Sequence, residues 1–424
     1  MTATDGALRQ RLLGVVAGAV AAFGVLLAGA VGAIAGAPAW AWTFVGRRPV
    51  VRMSGLLVGF GGAWIALLLV GNSRCDPATC TAPDLAPWLA VGGLLLASGI
   101  AGMAIDSRVR DRDGGLVATG LLVSVPAWLA LATVGRIDAI HAFVGLGPLV
   151  LVPLGLDLAL ELVPGAPKRL ASGLRTLAAP AAVPIALSLV APPGTGTAIL
   201  ALPWLALGLA AGLVGVANGT HWLVDLARHR ANDALARAVS ASLVYLAVAA
   251  VWLLVDRLGA RPFVLDPSIV ALTSVHFTFA GFLVVLLACV AAREARTTLG
   301  AVAVGLLVVG IPLTATGFLG LPGANLGGAV LTGFGGLATA IVQWQAAGGR
   351  LRSARLALRA GSVALAGGMV LALAWATSTA LGHPILELRT MAAIHGSLSA
   401  LGFAAPSVFT WWLTRRIEAS SPLL

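Results

Sequence analysis

The sequence predicts an all-α, polytopic integral membrane helix bundle of about 13 transmembrane helices, and three observations predict it. Of the 424 residues, 59% are apolar and only 10% charged, with a mean hydropathy of +0.98. Soluble domains average about 45–50% apolar and about 25% charged, so a soluble enzyme, a nucleic-acid-binding protein and a disordered chain are excluded. The apolar residues gather in runs long enough to cross a hydrocarbon core of about 30 Å, which takes about 20 residues. The basic residues fall between the runs.

Bounded by Arg, Pro, Gly and Asp, the candidate spans are 11–36, 54–71, 86–105, 115–135, 140–163, 176–192, 197–217, 237–256, 268–291, 298–318, 325–346, 359–381 and 391–414. The sixth and seventh are expected to be short or kinked, because Pro184, Pro192 and Pro193 fall in or beside them. Residues 1–41 also admit a signal-peptide reading, given Arg9 and Arg11 before the run and Ala35, Gly36, Ala37, Ala39 and Ala41 at its end. That run is long for a leader, so a first span is preferred. The chain reads as a single membrane domain over 1–424, rich in glycine and alanine that let helix backbones approach closely.

Charge sets the expected orientation. After the odd-numbered spans come Arg47, Arg48 and Arg52; Arg108, Arg110 and Arg112; Lys168, Arg169 and Arg175; and Arg228, Arg230 and Arg237. Arg293 and Arg296, then Arg350, Arg352, Arg355 and Arg359, and finally Arg415 and Arg416 continue the set, which holds 20 of the 27 basic residues. The positive-inside rule then places the carboxyl terminus in the cytoplasm, and the protein in the cytoplasmic membrane. The loop holding Cys75 and Cys80 falls outside, where a disulfide persists and would act as a loop clip; two free thiols are the alternative. Trp40, Trp42, Trp88, Trp222, Trp344, Trp411 and Trp412 lie near span ends, as an interfacial belt requires. Gln343 and Gln345 are read the same way.

Polar groups inside the hydrocarbon region are costly, so each is a functional hypothesis. His276 lies about 12 Å along the ninth span, sharing a face with Thr273 and Ala280 and flanked by Phe277 and Phe279. His395 lies about 8 Å along the last span, with Ala392, Ser399 and Gly402 on its face. Both helices run inward, so the imidazoles occupy comparable depth toward the outer leaflet. The tenth span climbs between them, and its Pro312 frees a backbone carbonyl near Thr314 and Thr316.

The stretches Ile269–Phe282 and Met391–Phe403 resemble the two signatures of the YndJ-like family of polytopic membrane proteins, and Gly310–Gly317 is similar to a third. The resemblance is specific over about 268–318 and 388–403, and extends over 225–414; the half from 11 to 220 adds little. Where the family pattern has a second His this chain has Thr278, and where it has an Asn it has Ser399. The shared pair is therefore His276 and His395. The resemblance implies a multi-spanning membrane protein and no established activity.

Four readings of the pair stay open. The histidines could tie helices together through hydrogen bonds. They could ligate haem or a transition metal, with His383 or Glu387 in the preceding loop as extra ligands. They could run acid–base chemistry on a lipid or isoprenoid among Phe277, Phe279, Phe282 and Phe403, with Thr273, Thr278, Thr314, Thr316 and Ser399 as supporting hydroxyls. They could line a proton or solute path. A carrier version centres instead on Asp157 and Glu161, four apart on the fifth span, although Glu161 could simply pair with Lys168 or Arg169. His141 is read as interfacial, and Asn218, His221 and Asp225 as a solvated face. No Walker A, His-Glu-x-x-His or Gly-x-Ser-x-Gly motif occurs, so a nucleotide is no expected partner and membrane lipid is.

Overall fold

The computed structural model describes residues 112–134, 137–163, 166–219, 234–321 and 323–419, with scattered positions before 112. The first three expected spans fall largely outside the described residues, as do Cys75, Cys80, His221 and Asp225. Every regular element described is helical. The chain divides into two compact units, residues 1–136 with 416–424 and residues 137–415. In the first, α1 (Arg112–Val134) covers the expected fourth span, and the Ser98 hydroxyl donates to its Leu122 carbonyl.

Among its described residues, the second unit contains nine helices long and apolar enough to cross a membrane, at the positions of the last nine expected spans. They are α2 (Ala139–Leu162), α3 (Lys168–Leu189), α4 (Thr195–Gly219), α5 (Ala234–Leu258), α6 (Pro267–Ala295), α7 (Thr298–Phe318), α8 (Ala324–Ala346), α9 (Arg352–Ala380) and α10 (Leu388–Arg416). The sixth and seventh spans, expected to be short or kinked, are not short. Helices α3 and α4 run 22 and 25 residues and absorb Pro180, Pro184 and Pro203 internally, while Pro192 and Pro193 lie beyond the end of α3. Pro is tolerated in a membrane helix where neighbours re-satisfy the freed backbone groups.

Burial separates centre from rim. The apolar windows of α2 and α6 are 94% and 83% buried, against 33–44% for the other seven, so these two helices form the middle of the bundle. Helix α6 touches α2, α5, α7, α8 and α10. Its start is set by Asp266, whose carboxylate accepts the Ser268 N–H with Pro267 at the first helical position. The Ser268 backbone and hydroxyl hold the Asp266 carboxyl below its ordinary value, so this cap is formed at neutral pH and weakens as the pH falls through that lowered value.

Three helices depart from α geometry midway, and they are packed on one another. Wider π turns occupy Gly147–Leu151 in α2, Phe277–Val284 in α6 and Ser397–Ala404 in α10. The α6 segment packs against both of the others. Such turns make poorer use of the backbone ladder and recur at functional sites. Glycines admit the contact: a Cβ at Gly147 would lie 2.6 Å from the Thr278 methyl, and one at Gly155 would lie 2.9 Å from Leu283.

Candidate functional site

His276 is the last residue before the π turns of α6, and His395 stands two residues before those of α10. The His276 Nε2 lies 3.3 Å from the Ile311 carbonyl of α7, and its ring sits edge-on to Phe277 with centroids 5.7 Å apart. The His395 Nδ1 lies 2.9 Å from the Gly368 carbonyl of α9. A carbonyl only accepts, so each of these nitrogens must carry the proton. The other nitrogens, His276 Nδ1 and His395 Nε2, are then bare lone pairs, and neither bonds to a described residue.

The surroundings explain how the rings are held. Pro312 has no N–H to give the Val308 carbonyl one turn back, and the Tyr245 hydroxyl of α5 fills that gap at 2.5 Å. Tyr245 also packs on Phe277 and against Gly281, where no Cβ would fit. It is the only tyrosine in the chain, and nothing in its sequence neighbourhood marks it. Tyr245→Phe is expected to leave that carbonyl unmatched and lower stability by about 1–3 kcal/mol, read as a drop in unfolding temperature in detergent. On the other side, Gly368 leaves room for His395 and Ser399: a Cβ there would lie 3.2 Å from the Ser399 Oγ and 3.6 Å from the His395 Nδ1. The Ser399 hydroxyl is buried and has no hydrogen-bond partner among the described residues.

The remaining expected site residues are placed as follows. The hydroxyls of Thr273, Thr314 and Thr316 bond to carbonyls of their own helices, at Ile269, Gly310 and Leu313. Thr278 turns its methyl to Gly147. His383 and Glu387 are exposed, and no group of three His, Cys, Asp or Glu that could share a metal occurs among the described residues. Phe279 packs edge-on to Phe143 of α2, Phe282 lies against Gly155, and Phe403 is buried. Phe277 lines a cavity of about 170 Å³ with Trp252, Thr273, Pro312, Thr316 and Phe318. With both threonine hydroxyls turned to their own backbones, that cavity is apolar.

Asp157 is fully buried; the Arg175 Nε lies 2.7 Å from one carboxylate oxygen and the Trp412 Nε1 donates to the other at 2.7 Å. Glu161 is exposed. Three interfacial assignments need correction. Trp411 and Trp412 are buried, and so is Gln343, whose amide donates to the Leu358 carbonyl and the Ser407 hydroxyl. Among the described residues of that group, Trp344, under the Arg359 guanidinium, and Gln345 are exposed. Nearness to a helix end along the chain does not fix depth when neighbouring helices extend past it.

Compared with protein families, residues 142–403 match the family described as YndJ-like protein, well over half of the chain and including both histidines. No curated protein and no solved structure matches it.

Proposed function

The chain belongs to the YndJ-like family, and from that premise we propose that its working site is the imidazole pair His276 and His395, presented to an electron-poor guest, a transition-metal ion or a haem iron. One observation supports this above the rest. Each imidazole gives its N–H to a backbone carbonyl, which fixes the tautomer and leaves the second nitrogen as a directed lone pair. Ligating histidines are oriented in this way, and the bond on one nitrogen raises the basicity of the other. Neutral imidazoles suit zinc, copper, iron and nickel. The same bonds tie α6 to α7 and α10 to α9, but helix tying leaves two lone pairs and the buried Ser399 hydroxyl without a purpose. The basic asymmetry of the loops supports a cytoplasmic membrane setting with the carboxyl terminus inside.

Protein purified from membranes in mild detergent is expected to carry a metal near one per chain by elemental analysis, or a Soret band. His276→Ala and His395→Ala should each reduce it to background, while His383→Ala keeps it. A metal-free, colourless wild type would end the proposal. The apolar cavity lined by Thr273 and Phe277, on the helix that carries His276, supports a second reading, proton transfer on an amphiphile whose tail occupies it. Total lipids compared with and without the gene test that reading, and an unchanged profile removes it.

A further inference from the structure

A separate cluster of charged groups sits at the opposite end of the unit from Asp157. Asp138 caps α2: its Oδ1 accepts the His141 backbone N–H at 2.8 Å and lies 2.9 Å from the His141 Nδ1. The other ring nitrogen, Nε2, is 2.9 Å from the Arg257 Nη2. Guanidinium nitrogens only donate, so Nε2 must be an acceptor and His141 must be neutral in this arrangement. Arg257 is only 2% exposed and is held on every side. Its Nε and Nη2 lie 2.8 and 2.6 Å from the Asp256 Oδ2, and its Nη1 donates to the Ser188 carbonyl of α3. Its own carbonyl receives the Gly194 N–H and the Thr197 hydroxyl, which fixes the turn between α3 and α4.

Protonation changes the logic of this contact. A proton on Nε2 would face the Arg257 N–H at 2.9 Å, donor against donor. A carboxylate acceptor close by is the Asp256 Oδ2, 3.8 Å from Nε2 and at present engaged by Arg257. We infer that His141 is a proton-operated latch: neutral, it receives Arg257; protonated, it turns to Asp256 and displaces the guanidinium. The other charges facing the ring are Asp138 on its own helix and Arg389 at the head of α10, which acts on Asp138. Partial burial raises the Asp138 carboxyl, yet its bonds to His141 and the Arg389 charge hold it below its ordinary value. Asp266 and Arg261 form their own group before α6. His141 is partly exposed, so bulk protons reach it.

The latch reaches inward through Phe143, two residues on. Its ring lies where a Gly396 Cβ would be 2.9 Å away, beside His395, and packs edge-on to Phe279 in the π turns of α6. Displacing Arg257 therefore loosens the start of α2 where it wedges between the helices that carry His276 and His395.

Hydrogen exchange of the full chain in lipid nanodiscs, corrected for intrinsic rates, tests this between pH 8 and pH 5, where imidazoles gain a proton. Segments 139–146 and 188–197 should exchange several-fold faster at pH 5. His141→Gln, which keeps a donor and an acceptor but does not titrate, should remove the step. Asp256→Asn, which withdraws the carboxylate the protonated ring turns to, should shrink it. A wild type without the step, or the same step in His141→Gln, overturns the latch. If His141→Gln does not fold, an undiminished step in Asp256→Asn overturns it instead. Neither readout depends on what the imidazole pair binds.

Discussion

Arg175→Ala is expected to destabilise the protein by about 3–5 kcal/mol, toward the lower end because the guanidinium is partly exposed. The substitution withdraws the positive group 2.7 Å from a carboxylate that is fully buried among α2, α3 and α10. The Trp412 N–H remains but brings no net charge. Asp157→Asn should cost less, since it removes the buried charge itself and leaves a guanidinium that is partly exposed. Thermal or denaturant unfolding in detergent reads both. The double variant should recover at least about 1 kcal/mol of the summed loss, as contacting partners do. Equal costs for the two single variants, with full additivity, would show that the pair is not coupled.

Gly328→Ala is expected to cost about 3 kcal/mol or more, while its neighbour Gly327→Ala is close to neutral. Helices α7 and α8 meet backbone to backbone along Gly310, Gly317, Gly328 and Gly335. A Cβ at Gly328 would lie 2.2 Å from the Thr314 nitrogen, and one at Gly317 would lie 2.2 Å from the Asn325 nitrogen. Backbone cannot move aside as a side chain can, so the helices must separate. A Cβ at Gly327 meets only the end of Leu313 at 3.8 Å. Because α7 carries the carbonyls held by His276 and Tyr245, separation should also perturb the imidazole pair. Folded yield and unfolding temperature of the two variants separate the outcomes. A Gly328→Ala protein as stable as wild type would mean that the seam is looser than the geometry indicates.

Some site features were legible before any fold was known. His276 and His395 stand out because an ionisable group in a long apolar run has few neutral explanations. Pro312 pointed to a freed carbonyl, and the structure adds that Tyr245 occupies it. Arg257 and His141 were hidden, because a charge at a helix end looks solvated until a second and third helix are seen to cover it. The 100° spacing used to align Thr273, His276 and Ala280 holds only up to His276, since the π turns begin at the next residue.

What the sequence by itself determined is the series of apolar helices. Lipid offers no partners to a bare backbone, so run length alone commits each segment to a helix. Only the tertiary structure decided which nitrogen of each imidazole is occupied, where the helices widen into π turns, and which end residues are core. Those outcomes depend on groups from other helices, such as the carbonyls of Ile311 and Gly368 and the surface of Gly147. No local pattern along one helix encodes the position of a partner far away in the chain.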